Sequence, residues 1–329
     1  MTKLVTILGG SGFVGRYVAR RMAQAGWRVR VATRRPNEHL FVRTYGTVGQ
    51  VEPVLCNIRD EASVRAAISG ADAVVNCCGI LAESGKNSFA AVQAEGAGRV
   101  ARIAAAEGVP ALVQISAIGA DAQSDSDYAR TKAQGEAAVL EAFPGAVILR
   151  PSIIFGTEDT FFNRFAAMVR FSPLLPITAG DTLFQPVYVD DVAKVAAMAA
   201  MGQVAAGTYE LGGPDTQSFR ALMQMLLTEI RRKRVIVNLP GFVARGVARG
   251  YSMARFLTAG LYFGDSLTLD QIRSLQRDNV VAEGAKGFAK LGIDPTPMDL
   301  VLPTYLWRFR PTGQFTAIRE SAAGLRGQE

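Results

Sequence analysis

The stretch KLVTILGGSGFVGRYVA, residues 3–19, constrains the fold more than any other part of the chain. An unbroken apolar strand (3–9) runs into glycines at 9, 12 and 15 and then into a helix. A strand with no polar alternation belongs in a parallel sheet covered on both faces. The spacing G-x-x-G-x-x-G assigns each glycine a task. Gly9 allows a tight turn, Gly12 lets the backbone approach a pyrophosphate, and Gly15 lets the helix pack on the strand. Ser11, Phe13 and Val14 surround the helix N-terminus, where unpaired amides and the positive end of the helix dipole favour an anion.

The same rhythm continues. VEPVLCNIRD (51–60) reads as strand then loop, EASVRAAISG (61–70) as helix and ADAVVNCCG (71–79) as strand. A long amphipathic helix is expected over 87–109, a strand over 110–120, a helix over 127–142 and a strand over 146–156. LFQPVYVDDVAKVAAMAAM (183–201) adds a strand and a helix capped by Asp190 or Asp191. GTYELGGPD (207–215) is a last strand. Alternating strands and helices give an α/β fold with a doubly wound parallel sheet. Residues 1–150 and 181–212 are expected to form the nucleotide-binding domain, 151–180 and 213–310 a smaller, mainly helical lobe, and 311–329 an exposed tail.

The second strand, WRVRVATRRP (27–36), bears on which nucleotide fits. A fold that prefers NAD carries an acid at this strand's end to hold the ribose 2′-hydroxyl. Here stand Thr33, Arg34 and Arg35, with no acid before Glu38. Two guanidiniums suit a 2′-phosphate, so NADP(H) is the expected cofactor, with Arg34 and Arg35 as its clamp. Arg16 either adds to that charge or faces solvent.

Tyr128 and Lys132 are four apart on one helix face, and Ser116 ends the preceding strand. Ser with Tyr-x-x-x-Lys resembles the reactive set of short-chain dehydrogenases. An ammonium beside a phenol favours phenolate, a serine hydroxyl holds a carbonyl, and the lysine can bond the nicotinamide ribose. The plainer reading is a surface helix with a Tyr–Lys pair.

Composition excludes several classes. Cys56, Cys77 and Cys78 have no metal spacing and His39 is the single histidine, so no metal site and no histidine-based triad is expected. Three cysteines of this kind fit a reducing compartment. The net charge of +7 equals the seven Arg and Lys of residues 231–255, a window without acids, which argues against nucleic acid. Residues 240–264 read as an amphipathic segment for an anionic membrane or a partner, or else a core helix with a basic face. The Pro-rich aromatic stretch 294–315 reads as an exposed attachment strip. No run of 18 apolar residues marks a membrane span, and the first strand starts so near Met1 that no leader is expected.

Several segments together resemble the nucleotide-binding accessory subunits of respiratory complex I, the alpha subcomplex subunit nine family. They are GGSGFVG, YARTKAQGEAAV, LRPSIIFGTEDTFFNRFA, QPVYVDDVA and LGIDPTPMDLVLPTYLWRFR. The resemblance implies an atypical short-chain dehydrogenase of Rossmann type, holding a structural NADPH near the quinone region where peripheral and membrane arms meet. It implies other complex I subunits as partners, an anionic membrane surface against residues 231–264, and a peripheral place on the cytoplasmic face of a bacterial inner membrane. It implies that Gly9, Ser11, Gly12, Phe13, Val14, Gly15, Arg34, Arg35, Ser116, Tyr128 and Lys132 touch the nucleotide. Asn57 departs from an acid usual at that position, which weakens the expected adenine contact. Two other roles stay open on the residues alone: a free NADPH-dependent reductase or epimerase, and a redox sensor.

Overall fold

The computed structural model describes residues 2–239, 270 and 275–315. Among the described residues two compact units are present: 2–152, 189–212 and 279–295 form the first, and 153–188, 213–239, 270, 275–278 and 296–315 the second.

The first unit opens with β1 (Leu4–Leu8), α1 (Phe13–Gln24), β2 (Arg28–Thr33), β3 (Val51–Leu55), α2 (Glu61–Ile68) and β4 (Ala73–Asn76). It continues with α3 (Glu95–Ala106), β5 (Leu112–Ile115), α4 (Asp127–Ala142) and β6 (Val147–Pro151). The second unit begins with β7 (Ile154–Phe155), α5 (Phe162–Phe171), β8 (Leu174–Ile177), β9 (Leu183–Phe184) and β10 (Val187–Tyr188). The chain then returns to the first unit with α6 (Val189–Ala200) and β11 (Gly207–Leu211). The second unit closes with β12 (Gln217–Ser218), α7 (Phe219–Glu229), β13 (Val235–Asn238) and α8 (Met298–Leu306).

Seven strands in the order β11-β6-β5-β4-β1-β2-β3 make one parallel sheet. All five residues of β1 and all four of β4 and β5 are buried, the polar Thr6, Asn76 and Gln114 among them, as in a parallel sheet covered on both faces. The chain runs outward from β1 to β3, then returns to lay β4 beside β1 and grows the other way. This reversal makes the carboxyl ends of β1 and β4 a topological switch point, the place where open α/β sheets bind ligands. Leu8, the last residue of β1, stands in register with Ala32 of β2 and Asn76 of β4, so the three strand ends are level.

One sheet face is covered by α2, α3 and α4, whose Ile68, Val100 and Val139 share a core with Leu8, Val74 and Ile148. Small residues set the spacing. A side chain at Gly135 of α4 would sit 2.2 Å from the carbonyl oxygen of Gln93. The helix expected over 87–109 answers that crowding with a π turn at Ala90–Ala94 before it becomes regular at Glu95. Elsewhere in this unit α1 packs on α6, where Arg21 Nε and Nη2 donate to the two carboxylate oxygens of Asp190 at 2.7 Å each. Asp190 and Asp191 lie in the first turn of α6 rather than at its cap, because the helix starts at Val189.

The second unit has an aromatic core. Phe155, Phe162, Phe165, Phe184 and Phe219 are buried, and Phe161 meets Phe162 edge-on at 5.1 Å. The strand expected over 146–156 breaks after Pro151, and β7 pairs with β10 instead of extending β6. The expected attachment strip is also corrected. Met298, Leu302, Tyr305, Leu306 and Phe309 are buried in the aromatic core. The amphipathic segment 240–264 lies outside the described residues, as does the tail beyond 315.

Candidate functional site

The glycine turn at the end of β1 is held by its own backbone. Gly9 has φ +71, a conformation that side chains disfavour, and its amide donates to Ala32 O at 2.9 Å. Gly12 is the N-cap of α1, and no side chain caps that terminus. The first turn of α1 carries no acid, so its opening amides, those of Phe13 and Val14 included, are not claimed by a local carboxylate. At Gly15 a Cβ would fall 2.3 Å from Gly9 O and 2.6 Å from Gly10 Cα, both backbone atoms. Helix and turn therefore approach to a distance only glycine permits, which is the shape of a phosphate cradle. Arg16 resolves toward the loop: Nη2 donates to Ser11 O at 3.2 Å and Nε to Gly12 O at 3.3 Å.

The end of β2 lies beside this cradle. Ser11 Oγ donates to Thr33 Oγ1 at 3.3 Å, linking the turn to the strand that carries the two arginines. His39 Nδ1 donates to Arg35 O at 2.8 Å and fixes the backbone there. Arg35 pairs with Glu38 at 3.2 Å, with both side chains well exposed. Such a pair is worth under about 1 kcal/mol, so a doubly charged phosphate can displace the carboxylate. Arg34 is exposed, and its charge opposes in part the upward push that burial gives the Cys78 thiol.

The third group sits at the ends of β4 and β5. Lys132 is 6% exposed, and its Nζ donates to Ile115 O at 3.3 Å. Burial pushes its pKa down from 10.5 to about 8, against the pull of Glu136 one turn on and of the neighbouring Cys78 and Cys77 thiols. The Tyr128 ring centroid lies 5.8 Å from Nζ, and the ring meets Phe89 edge-on at 6.0 Å. Ser116 is 5% exposed, and its Oγ finds no hydrogen-bond partner among the described residues. An orphaned buried hydroxyl is costly unless a ligand completes it.

The floor between these groups was not anticipated. Asn76 Nδ2 donates to Gln114 Oε1 at 2.8 Å, and Gln114 Nε2 donates to the Ile115 carbonyl that Lys132 also uses. A Cβ on Gly9 would meet Cys78 Sγ at 3.2 Å, and one on Gly79 would meet Lys132 Nζ at 3.4 Å. Cys77 and Cys78 thus join the glycine turn to the lysine. Burial raises both thiol pKa values, that of Cys78 to about 12, so they are inert packing at neutral pH. The signal for this floor was one polar residue inside each of two apolar strands, Asn76 and Gln114. Asn57 spends its amide on Ser63 Oγ and its Oδ1 on the Arg59 amide, a local turn.

The eleven residues singled out from the sequence all lie at the carboxyl ends of β1, β2 and β5 or at the start of the helices that follow them. The cradle, the orphaned hydroxyl and the cationic strand end fit a dinucleotide's pyrophosphate, nicotinamide ribose and adenosine ribose in turn. No group of three or more His, Cys, Asp or Glu among the described residues could hold a metal ion.

Fold and site define the class, a dinucleotide-binding α/β protein of the dehydrogenase type. A family model described as NAD dependent epimerase/dehydratase family matches residues 5–212. The Arabidopsis thaliana mitochondrial NADH dehydrogenase (ubiquinone) 1 alpha subcomplex subunit 9 is 34% identical over 94% of this chain and 79% of its own. Its Rattus norvegicus counterpart is 30% identical over 93% of this chain and 80% of its own. The NADPH-dependent quinone oxidoreductase of Escherichia coli, solved with NADPH, superposes with TM-score 0.69 at 18% identity, over 92% of this chain and 98% of that one. This chain belongs to the NAD dependent epimerase/dehydratase family and, within it, to the alpha subcomplex subunit 9 family of complex I.

Proposed function

We propose that this protein is an accessory subunit of respiratory complex I that holds NADPH as a structural cofactor. It stabilises the junction of the peripheral and membrane arms near the quinone region, at the cytoplasmic face of a bacterial inner membrane. The observation that carries this reading is similarity over 94% of the chain. A shared nucleotide fold alone would account for residues 5–212.

In this reading the Gly9–Gly15 turn and the α1 amides of Phe13 and Val14, with Ser11, hold the pyrophosphate. Ser116, Tyr128 and Lys132 hold the nicotinamide ribose. Arg34 and Arg35 hold the 2′-phosphate, and the missing acid at the end of β2 favours NADPH over NADH. NADPH supplies a hydride donor when bound, and a structural role does not draw on it. The test is the nucleotide that stays with the purified chain. NADPH is expected at close to one per chain, and Arg34→Ala is expected to cut the NADPH-over-NADH preference by roughly 10- to 100-fold, as the loss of one charge-assisted phosphate contact does. Bound NADH, or an unchanged preference, contradicts the assignment.

One observation favours a second reading, a free NADPH-dependent reductase or epimerase: Ser116, Tyr128 and Lys132 are all present. Tyr128→Phe separates the two. Loss of turnover on a small carbonyl compound supports the enzyme, whereas unchanged quinone reduction by the assembled complex supports the subunit.

A further inference from the structure

A buried carboxylate stands one helical turn from Lys132 and does not pair with it. Glu136 follows Lys132 by four residues on α4, so the two share a face of the helix. Both are buried. Among the described residues no ion pair joins them, and the lysine's hydrogen bond goes to Ile115 O.

The carboxylate is spent elsewhere. Arg150 of β6 takes both of its oxygens: Nε donates to Oε1 at 3.0 Å and to Oε2 at 3.2 Å, and Nη2 donates to Oε2 at 2.6 Å. The same guanidinium reaches Glu210 Oε1 from Nη1 at 3.4 Å. Glu210 stands in register with Arg150 across the pairing of β6 with β11, and its other oxygen accepts the Ala282 amide at 2.9 Å.

Four charges, two of each sign, could pair one to one, Arg150 with Glu210 and Lys132 with Glu136. Instead the arginine holds both carboxylates and the lysine none. An unpaired ammonium in so dry a place is costly, and a bond to Glu136 would offset that cost. The planar fork of arginine can withhold the carboxylate, because it grips both oxygens at once. The Glu136 bonds also raise the arginine's own pKa, so it stays charged wherever the chain is folded. What Glu136 still exerts on Lys132 through space falls short of the desolvation that holds the lysine near 8. The other titratable groups beside the lysine do not replace it. The Cys77 and Cys78 thiols are kept protonated by burial, and Tyr128 presents its ring.

We propose that Arg150 is a positioning residue of the nucleotide site: by holding both oxygens of Glu136 it keeps that carboxylate off Lys132 and leaves the lysine's N–H groups to the nicotinamide ribose. A ribose hydroxyl is a neutral acceptor and would lose the ammonium to a buried carboxylate. The role toward the ribose rests on the nucleotide reading above, whereas the hold on Glu136 does not.

The test uses Arg150→Met/Glu210→Gln. This variant leaves one carboxylate, Glu136, to face one ammonium, so no bare charge is stranded, and its melting temperature verifies the fold. The Lys132 Cε carbon resonance, identified by its loss in Lys132→Met, follows the lysine's titration in the nucleotide-free chain. It is expected to titrate near pH 8 in the unaltered chain. In the variant it is expected at about pH 9 or above, because an opposite charge then lies alongside. NADPH at pH 7 is expected to bind roughly tenfold more weakly. Adding Glu136→Gln removes the competing carboxylate, and the titration and the affinity are both expected to return. A purely structural role for Arg150 predicts weaker binding with an unmoved titration and no rescue. Two results overturn the proposal: a titration that does not move in the double variant, or one that moves while NADPH affinity stays the same. A chain that binds no NADPH in any form sinks the nucleotide reading instead, and the titration then still decides whether Arg150 keeps Glu136 off the lysine.

Discussion

Lys132 shows most directly how a single residue is held for a ligand. Among the described residues, its buried ammonium has one carbonyl partner and no carboxylate bonded to it. The charged form is disfavoured in the folded chain, so the penalty is full below about pH 8 and vanishes as pH rises through the unfolded value near 10.4. Lys132→Met is therefore expected to stabilise the nucleotide-free chain at pH 7, by on the order of 2–3 kcal/mol, with the gain gone by about pH 11. The same change should weaken nucleotide binding. Denaturant titrations at pH 7 and at pH 10 to 11 check both the size and the sign. A loss of stability at pH 7 would mean that Lys132 is a structural tie. The residue and its partner Tyr128 were legible from the four-residue spacing alone. Its surroundings were not, because Ile115 O, Gln114 and the two cysteines reach it only through strand pairing.

At the scale of elements, local pattern carried the parallel sheet well. Mainly apolar runs gave β1, β4 and β5, and the glycine spacing gave the start of α1. Long-range contacts decided what the pattern could not. The expected strand over 146–156 stops at Pro151, and Ser152 Oγ just beyond it donates to Asn279 Oδ1 at 2.7 Å, 127 residues away. The aromatic strip at the end of the chain is buried for a similar reason. Tyr305 of α8 donates to Asp159 Oδ2 at 2.6 Å, inside the motif RPSIIFGTEDTFFNRFA. Asp159 also receives the Gly156 and Asn163 amides, and burial still raises its pKa. Two of the segments that carry the family resemblance are thus halves of one buried contact. Tyr305→Phe leaves the carboxylate short of its best donor and is expected to cost about 2 kcal/mol in urea unfolding at pH 7. The deficit should shrink as pH falls through the raised Asp159 value, because a protonated carboxyl no longer leaves a bare charge buried. A deficit that ignores pH would mean that Tyr305 acts by packing alone.

At the scale of the molecule, the nucleotide-binding family model stops at residue 212, whereas similarity to an alpha subcomplex subunit 9 protein covers 94% of the chain. No helix among the described residues is long and apolar enough to cross a membrane. Four of the seven cations of residues 231–255, Arg231, Arg232, Lys233 and Arg234, lie among the described residues and follow α7 directly. That concentration was visible in the sequence as residues 231–255, although its apolar companions Phe171 and Leu174 lie some 60 residues earlier. The pairing of β8 with β13 and the bond from Arg234 Nε to Val169 O bring them together. The most direct measurement is a native gel of mildly solubilised membranes, probed for this chain and stained for NADH oxidation. Migration with the high-mass NADH-oxidising band is the expected result for a complex I subunit. A single small species, absent from that band, would contradict it and leave a free NADPH-dependent enzyme as the reading to pursue.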